Sequence, residues 1–257
     1  MTTGLELKRK IFESPGYSAD VRLGADELEV FRSAITEQWI SVIEAQHPDM
    51  AARFQQAGLP NYHTLSHLID HEKLWPKKNR CLPFESCQQI KALRFLQTLK
   101  EELGEFELSH VIYDDSCEAG REEIYWRLVR PNAPSDVGSM HADKWFHSFM
   151  AADDRAFPLG SRTVKIWIPI YSVPGKNGLL IVPNSHLKEW RYHGVPGRGG
   201  MKPQIDEDVD ALGAQLMLTD PGNLLIFNEG TLHGGAVNRG GQTRVSAEIT
   251  LVFGGKQ

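Results

Sequence analysis

The chain has 257 residues, 41% of them hydrophobic and 24% charged, with a formal net charge of -5. These are the proportions of an ordinary globular protein that can bury one large core. The acidic balance excludes any general electrostatic attraction to nucleic acid or to an anionic membrane.

The opening run "MTTGLELKRKIFESPGYSAD" lacks an apolar stretch long enough for a signal-peptide core, and no run of 18 apolar residues occurs. The expectation is a cytoplasmic protein with no membrane and no nucleic-acid partner. Cys81, Cys87 and Cys117 are odd in number and form no C-x-x-C pair, so reduced thiols are expected.

Residues 25 to 105 read mainly as helix. In "DELEVFRSAITEQWISVIEAQ" the residues Leu28, Phe31, Ile35, Ile40 and Ile43 recur every three to five positions, close to the spacing of one buried stripe. The segment "SCQQIKALRFLQTLKEELG" repeats the pattern with Ile90, Leu93, Leu96 and Leu99. Ser86 is its expected N-cap and Gly104 its stop. Between them, "HTLSHLIDH" carries His63, His67 and His71 at helical spacing. Without the glutamate of an H-E-x-x-H signature, these read as residues of an amphipathic helix bonded to neighbours or solvent.

From about residue 107 the texture changes to short β-rich runs separated by Gly, Pro and Asn: "EEIYWRLVR", "RTVKIWIPIY", "GLLIVP", "AQLMLTDPGNLLIFN" and "TRVSAEITLVF". No Gly-rich strand-to-helix fingerprint and no βαβ alternation appear. The expected fold is mainly β with N-terminal helices. It is a single domain in which about 1 to 105 form a helical support and about 107 to 253 a jelly-roll core.

The chemistry gathers in the β region. His141 and Asp143, in "GSMHADKWFH", are two residues apart, so on an extended strand they share a face. His233 lies 92 positions later, directly after the strand "NLLIFN" and beside small residues that permit close approach. Two imidazoles and a carboxylate make the facial triad of non-haem Fe(II) oxygenases. Eleven residues on, "TRVSAEITLVF" alternates, with Arg244, Ser246 and Glu248 on one face and Val245, Ala247, Ile249 and Leu251 on the other. An inward arginine needs an anion, and its donor fork fits a carboxylate.

These stretches, with "KIWIPIY" at 165 to 171, "NGLLIVPNSH" at 177 to 186 and "PGNLLIFNEGTLHGGAVNRGGQTRVS" from 221 to 246, resemble the phytanoyl-CoA dioxygenase-like branch of the Fe(II)/2-oxoglutarate-dependent dioxygenases. The likeness covers roughly residues 107 to 253. Asn184 stands where that family usually has Gly, Asn223 where it often has Asp, and H-A-D replaces the commoner H-Q-D.

The resemblance implies a cupin-like double-stranded β-helix in which His141, Asp143 and His233 hold Fe(II). Arg244 and Ser246 would hold the far carboxylate of 2-oxoglutarate, Trp167 would line that pocket, and His186 would shape a loop outside the site. It further implies O2-dependent decarboxylation of 2-oxoglutarate to succinate and CO2, coupled to hydrogen abstraction from an unactivated C–H bond. Hydroxylation is the expected outcome. Desaturation, cyclisation, epimerisation and a metal-dependent cupin isomerase that does not use 2-oxoglutarate are the alternatives, and the carboxylate of Asp143 argues against halogenation.

For the substrate, Lys144, Trp145 and His147 flank the triad, with Arg155, Arg162 and Lys165 near them. Lys188, Arg191, Arg198 and Lys202 follow in a Gly- and Pro-rich stretch whose residues 194 to 203 read as a lid. Cations near the mouth point to a polar or anionic small molecule.

Overall fold

A computed structural model describes residues 4–110, 122–149, 161–197 and 200–254. Cys117, Arg155 and Arg198 lie outside the described residues. The chain begins with α1 (Gly4–Phe12), β1 (Tyr17–Ser18), α2 (Ala25–Gln46) and α3 (Pro48–Ala57). Short helices α4 (Tyr62–Leu65) and α5 (His71–Leu74) follow, then α6 (Phe84–Lys91) and α7 (Arg94–Leu103). The strands after them are β2 (Glu107–Leu108), β3 (Ile124–Val129), β4 (Arg162–Tyr171), β5 (Leu179–Ile181), β6 (Tyr192–Gly197) and β7 (Gly200–Ile205). The last four are β8 (Gln215–Leu216), β9 (Leu225–Asn228), β10 (His233–Gly235) and β11 (Arg244–Phe253).

The strands form a large sheet in the order β1-β9-β4-β11-β2, with β3 also paired to β11, and a small sheet β10-β5-β8. All of these pairings are antiparallel. This is the jelly-roll arrangement expected, open rather than closed into a barrel.

The large sheet is two-faced because side chains alternate along a strand. Ile124, Trp126, Leu128, Val164, Ile166, Ile168, Leu224, Ile226, Val245, Ala247 and Ile249 point outward into one core with helix residues such as Phe31, Ile35, Trp39, Leu96 and Leu99. Full burial of each such aliphatic or aromatic side chain contributes about 1.5–3 kcal/mol. The inward face packs Trp167, Leu225 and Phe227 against Leu179 and Ile181 of the small sheet. The same face carries the charged groups described below.

Three local expectations change. The apolar pattern of residues 86 to 104 belongs to two helices, α6 and α7, and α6 starts after Pro83 rather than at Ser86. The break is stabilised from outside: Glu27 of α2 accepts the backbone N–H of Phe95 at 2.8 Å and, with its other oxygen, that of Gly24 at 2.8 Å. Gly104 does end α7, at φ 93. The described part of residues 194 to 203, read as a lid, lies in a two-stranded ribbon, β6 paired with β7. A ribbon leaves both edges unpaired, so Pro196 and Pro203 cost it little.

His63, His67 and His71 do not share one helix, because the chain turns between α4 and α5. His63 contacts Thr243 Oγ1 through Nδ1 at 3.1 Å. His71 joins a buried network in which Trp75 Nε1 donates to Tyr62 Oη at 2.9 Å, and Tyr62 Oη lies 2.8 Å from His71 Nδ1. On the other side His71 Nε2 lies 3.5 Å from Asp136, which Arg130 grips with Nε and Nη2 at 2.9 and 2.8 Å. Burial pushes the His71 imidazole down to about 4 from 6.5, against the pull of Asp136. The unfolded chain therefore takes up this proton first as the pH falls, so stability is complete above pH 6.5 and is lost on acidification towards 4. Urea denaturation between about pH 7 and about pH 5 is expected to show that loss, and His71→Asn to show less of it. Tyr62→Phe, which strips a partner from both Trp75 and His71, is expected to cost about 1–3 kcal/mol in the same measurement.

Candidate active site

The site begins with a pair of hydrogen bonds. His141 N–H donates to His233 O and His233 N–H donates to His141 O, both at 2.9 Å. This antiparallel bridge sets the two imidazoles side by side, with centroids 4.5 Å apart. The approach needs glycine, since a Cβ on Gly235 would stand 2.9 Å from Val137 Cβ.

Asp143 was expected on a strand with His141. It is instead the first residue of a 3-10 helix, Asp143–Phe149, which turns its carboxylate back toward both histidines. Its Oδ1 lies 3.6 Å from His141 Nε2 and 3.7 Å from His233 Nε2, and the three ligand atoms fall within 4.8 Å of one another. Ala142 is fully buried and points away.

Each imidazole is oriented by its other nitrogen. His141 Nδ1 lies 2.7 Å from Ser139 O, and His233 Nδ1 lies 3.0 Å from Thr231 O. A carbonyl can only accept, so both Nδ1 atoms carry protons and both Nε2 lone pairs face the gap between the rings. Burial pushes His233 down to about 4, which keeps it neutral near pH 7. Burial alone would raise the Asp143 carboxyl, but the Lys165 ammonium outweighs it and holds it well below the usual carboxylate range. Asp143 Oδ2 is buried without a hydrogen bond, 3.6 Å from Lys165 Nζ. Two imidazole Nε2 atoms and an ionised carboxylate are a donor set suited to a divalent transition metal.

On the inward face of β11, Arg244 is 2% exposed. Its Nη1 donates to Ser246 Oγ at 2.8 Å, and its Nε is buried without a partner. Among the described residues no carboxylate lies within ion-pair distance of it. Burial, with repulsion from Arg127, lowers its pKa to about 10, so it remains charged at neutral pH. Trp167, on the neighbouring strand β4, lies under the guanidinium at 5.7 Å. A buried guanidinium with unused donors is an anion site in waiting, because leaving it unpaired costs several kcal/mol.

The substrate candidates divide. Trp145 is 2% exposed and stacks on Tyr192 of β6, centroids 4.4 Å apart and planes 8° from parallel, so its ring serves packing. Lys144 reaches Glu189 at 3.7 Å, and His147 lies farther along the 3-10 helix. Arg191 pairs with Glu207, Lys188 lies over Trp190, and Arg162 lies over Phe12. Of the cations named from the sequence that fall among the described residues, Lys165 is the one that meets the triad. Asn184 adopts φ 61 and ψ 8, a left-handed conformation that asparagine tolerates, which explains its place at a family glycine.

One cluster had not been singled out. Arg127 Nε donates to Glu248 Oε1 at 2.7 Å and Arg127 Nη2 to Tyr125 Oη at 2.9 Å, while Tyr125 Oη donates to Glu248 Oε2. Burial opposes the charge on Glu248, but Arg127 and Lys165 hold its pKa at about 2. Alternation along "EEIYWRLVR" is a signal that could have put Tyr125 and Arg127 on one face, but pairing them with Glu248 required the β3–β11 register. Arg127→Leu is expected to destabilise the fold by roughly 2–3 kcal/mol, below the fully buried range because the arginine is 37% exposed. Adding Glu248→Leu should recover part of that loss in urea denaturation.

A search of curated protein sequences finds no match to this chain. Among solved structures, AviO1 from Streptomyces viridochromogenes Tue57 aligns with a TM-score of 0.54 at 12% identity, over 100% of this chain and 98% of that one. The non-haem α-ketoglutarate-dependent carbocyclase SnoK from nogalamycin biosynthesis gives 0.53 at 15% identity, over 98% and 86%. EctD from S. alaskensis, with 2-oxoglutarate and 5-hydroxyectoine bound, gives 0.52 at 14% identity, over 95% and 74%. At these identities the likeness establishes a shared fold. Among the described residues no helix is long and apolar enough to cross a membrane. The phytanoyl-CoA dioxygenase (PhyH) family profile matches residues 68–246, well over half of the chain. The chain belongs to that family, whose cofactors are Fe(II) and 2-oxoglutarate.

Proposed function

We propose that this chain is an Fe(II)- and 2-oxoglutarate-dependent hydroxylase of a small polar or anionic molecule. His141, Asp143 and His233 hold the metal, and Arg244 and Ser246 hold the far carboxylate of 2-oxoglutarate. The observation that carries the reading is the buried, unpaired Arg244 on the same inward face that meets the triad. On β4, Trp167 lies under Arg244 while Lys165, two residues away, reaches Asp143. Two strand residues span about 6.8 Å, a distance that a five-carbon diacid can bridge.

The chain's own residues then have separable tasks. The Ser139 and Thr231 carbonyls aim the two Nε2 atoms at the metal position. Lys165 faces Asp143 Oδ2 and leaves Oδ1 toward the imidazoles. Arg244, with its hydrogen bond to Ser246, orients the co-substrate, and Trp167, Leu225 and Phe227 keep water from its carbon chain. When bound, Fe(II) supplies activation of O2 at the positions the protein leaves open. In the net reaction a substrate C–H, O2 and 2-oxoglutarate give the alcohol, succinate and CO2.

Succinate production and Fe(II) binding by anaerobic dialysis test this reading. Wild type is expected to bind one Fe(II) per chain, as a single triad predicts, and to release succinate only when 2-oxoglutarate and O2 are both present. Arg244→Ala should weaken 2-oxoglutarate binding by at least ~30-fold, as expected for truncating a buried charge pair. Asp143→Ala should abolish Fe(II) binding, while His67→Ala, at an exposed position, should retain it. Loss of the metal in His67→Ala, or 2-oxoglutarate binding unchanged in Arg244→Ala, would contradict the assignment.

A further inference from the structure

Three alternate residues on the inward face of β4 each meet a different part of the site. Trp167 lies under Arg244 and Lys165 faces Asp143. Thr163, two residues before Lys165 and so on the same face, meets the turn between β9 and β10. Thr163 is 4% exposed, and its Oγ1 donates a hydrogen bond to Oε2 of the half-buried Glu229. A hydroxyl bonded to a carboxylate is stronger than a bond between neutral groups, and it is directional.

The turn that Thr163 grips serves two of the metal-site residues. Lys144 N–H, in the peptide that follows Asp143, donates to Glu229 O at 3.1 Å. Two residues beyond Glu229, Thr231 O receives His233 Nδ1 at 3.0 Å. The ends of the turn are tied elsewhere. Gly230 N–H and Thr231 N–H donate to Asn228 Oδ1 and Asn228 O, both at 2.9 Å. Thr231 Oγ1 donates to Gly16 O at 3.0 Å, and Leu232 N–H donates to Ser185 Oγ at 2.7 Å. Glu229, between these anchors, is fixed to the large sheet by its own side chain.

This matters most for Asp143. His141 is held by its two-bond bridge to His233, but Asp143 lies beyond that bridge, at the start of a 3-10 helix. Two routes then lead from β4 to Asp143. Lys165 reaches its carboxylate at 3.6 Å, an attraction that fixes no direction. The chain from Thr163 Oγ1 through Glu229 to Lys144 N–H reaches its backbone by two hydrogen bonds, which do.

Resting on the oxygenase reading above, we propose that Glu229, gripped by Thr163, is a positioning residue that sets Asp143 against the two imidazoles and so tightens the hold on the metal. It acts through the peptide and not as a ligand, because its carboxylate is bonded to Thr163 and is not among the convergent ligand atoms. Partners that orient metal ligands typically govern metal affinity by about 10–100-fold.

The test is Fe(II) binding by anaerobic dialysis, then 2-oxoglutarate binding at saturating Fe(II), in variants that thermal unfolding shows to be folded. Thr163→Val keeps the shape of the side chain and removes the donor, and is expected to weaken Fe(II) binding by about tenfold or more. Glu229→Ala should lose as much, and the double variant little more than either, because both changes break one bond. Glu229→Gln, which keeps an acceptor for Thr163, should restore most of the affinity. In all of them 2-oxoglutarate binding should fall far less than Fe(II) binding, since Arg244 is untouched, whereas a general loosening of the fold would lower both alike. A loss below about tenfold in folded Thr163→Val overturns this proposal alone. So do losses that add in the double variant, or equal falls in Fe(II) and 2-oxoglutarate affinity. Should Thr163→Val not fold, Glu229→Ala against Glu229→Gln decides in the same way. A wild type that takes up no Fe(II) overturns the oxygenase reading and this one with it.

Discussion

A β-strand presents successive side chains to opposite faces, and in β11 that single constraint separates folding from chemistry. Val245, Ala247, Ile249 and Leu251 face the helices and help build the main core, while Arg244, Ser246 and Glu248 face inward. A one-residue slip would put the guanidinium into the helical core and the aliphatic residues into the site, so the register of β11 is specified from both sides at once. The same division runs through β3 and β4, where Trp126 and Ile166 pack outward while Arg127 and Lys165 face the interior. Helices α2, α6 and α7 matter to the site because they fix this register.

Inside, electrostatics takes over from packing. Glu248, Arg127 and Tyr125 satisfy one another, and Lys165 is tied to Thr250 and faces Asp143. Arg244 differs in keeping a buried Nε without a partner. A folded protein that holds an unpaired guanidinium beside a convergent His-Asp-His set is preorganised for two ligands, a cation at the triad and an anion at the arginine. Charge in this interior is a binding specification rather than a source of stability.

Much of this was legible in the sequence because the relevant periods are short. The period-two pattern of residues 244 to 251 revealed which side chains face inward, and the helical period found α2. His141, Asp143 and His233 were identifiable by residue type and order, but not by geometry: Asp143 converges through a 3-10 turn, and His233 through a bridge 92 residues away in sequence. The Tyr125–Arg127–Glu248 cluster was missed because its meaning lies in register, which no local pattern encodes. Trp145 looked like a pocket residue by proximity, whereas its ring packs on a ribbon whose prolines had suggested a loop. The α6–α7 break depends on Glu27, about seventy residues upstream, and so left no signal within its own segment.

The central claim is that the triad and Arg244 form one site for a metal and a 2-oxo acid. Optical absorption under anaerobic conditions tests it most directly. Fe(II) and 2-oxoglutarate added together are expected to give a weak visible charge-transfer band in wild type that neither gives alone, and that Asp143→Ala loses. A wild type that binds both ligands without developing the band would show that they occupy separate places, contrary to the account.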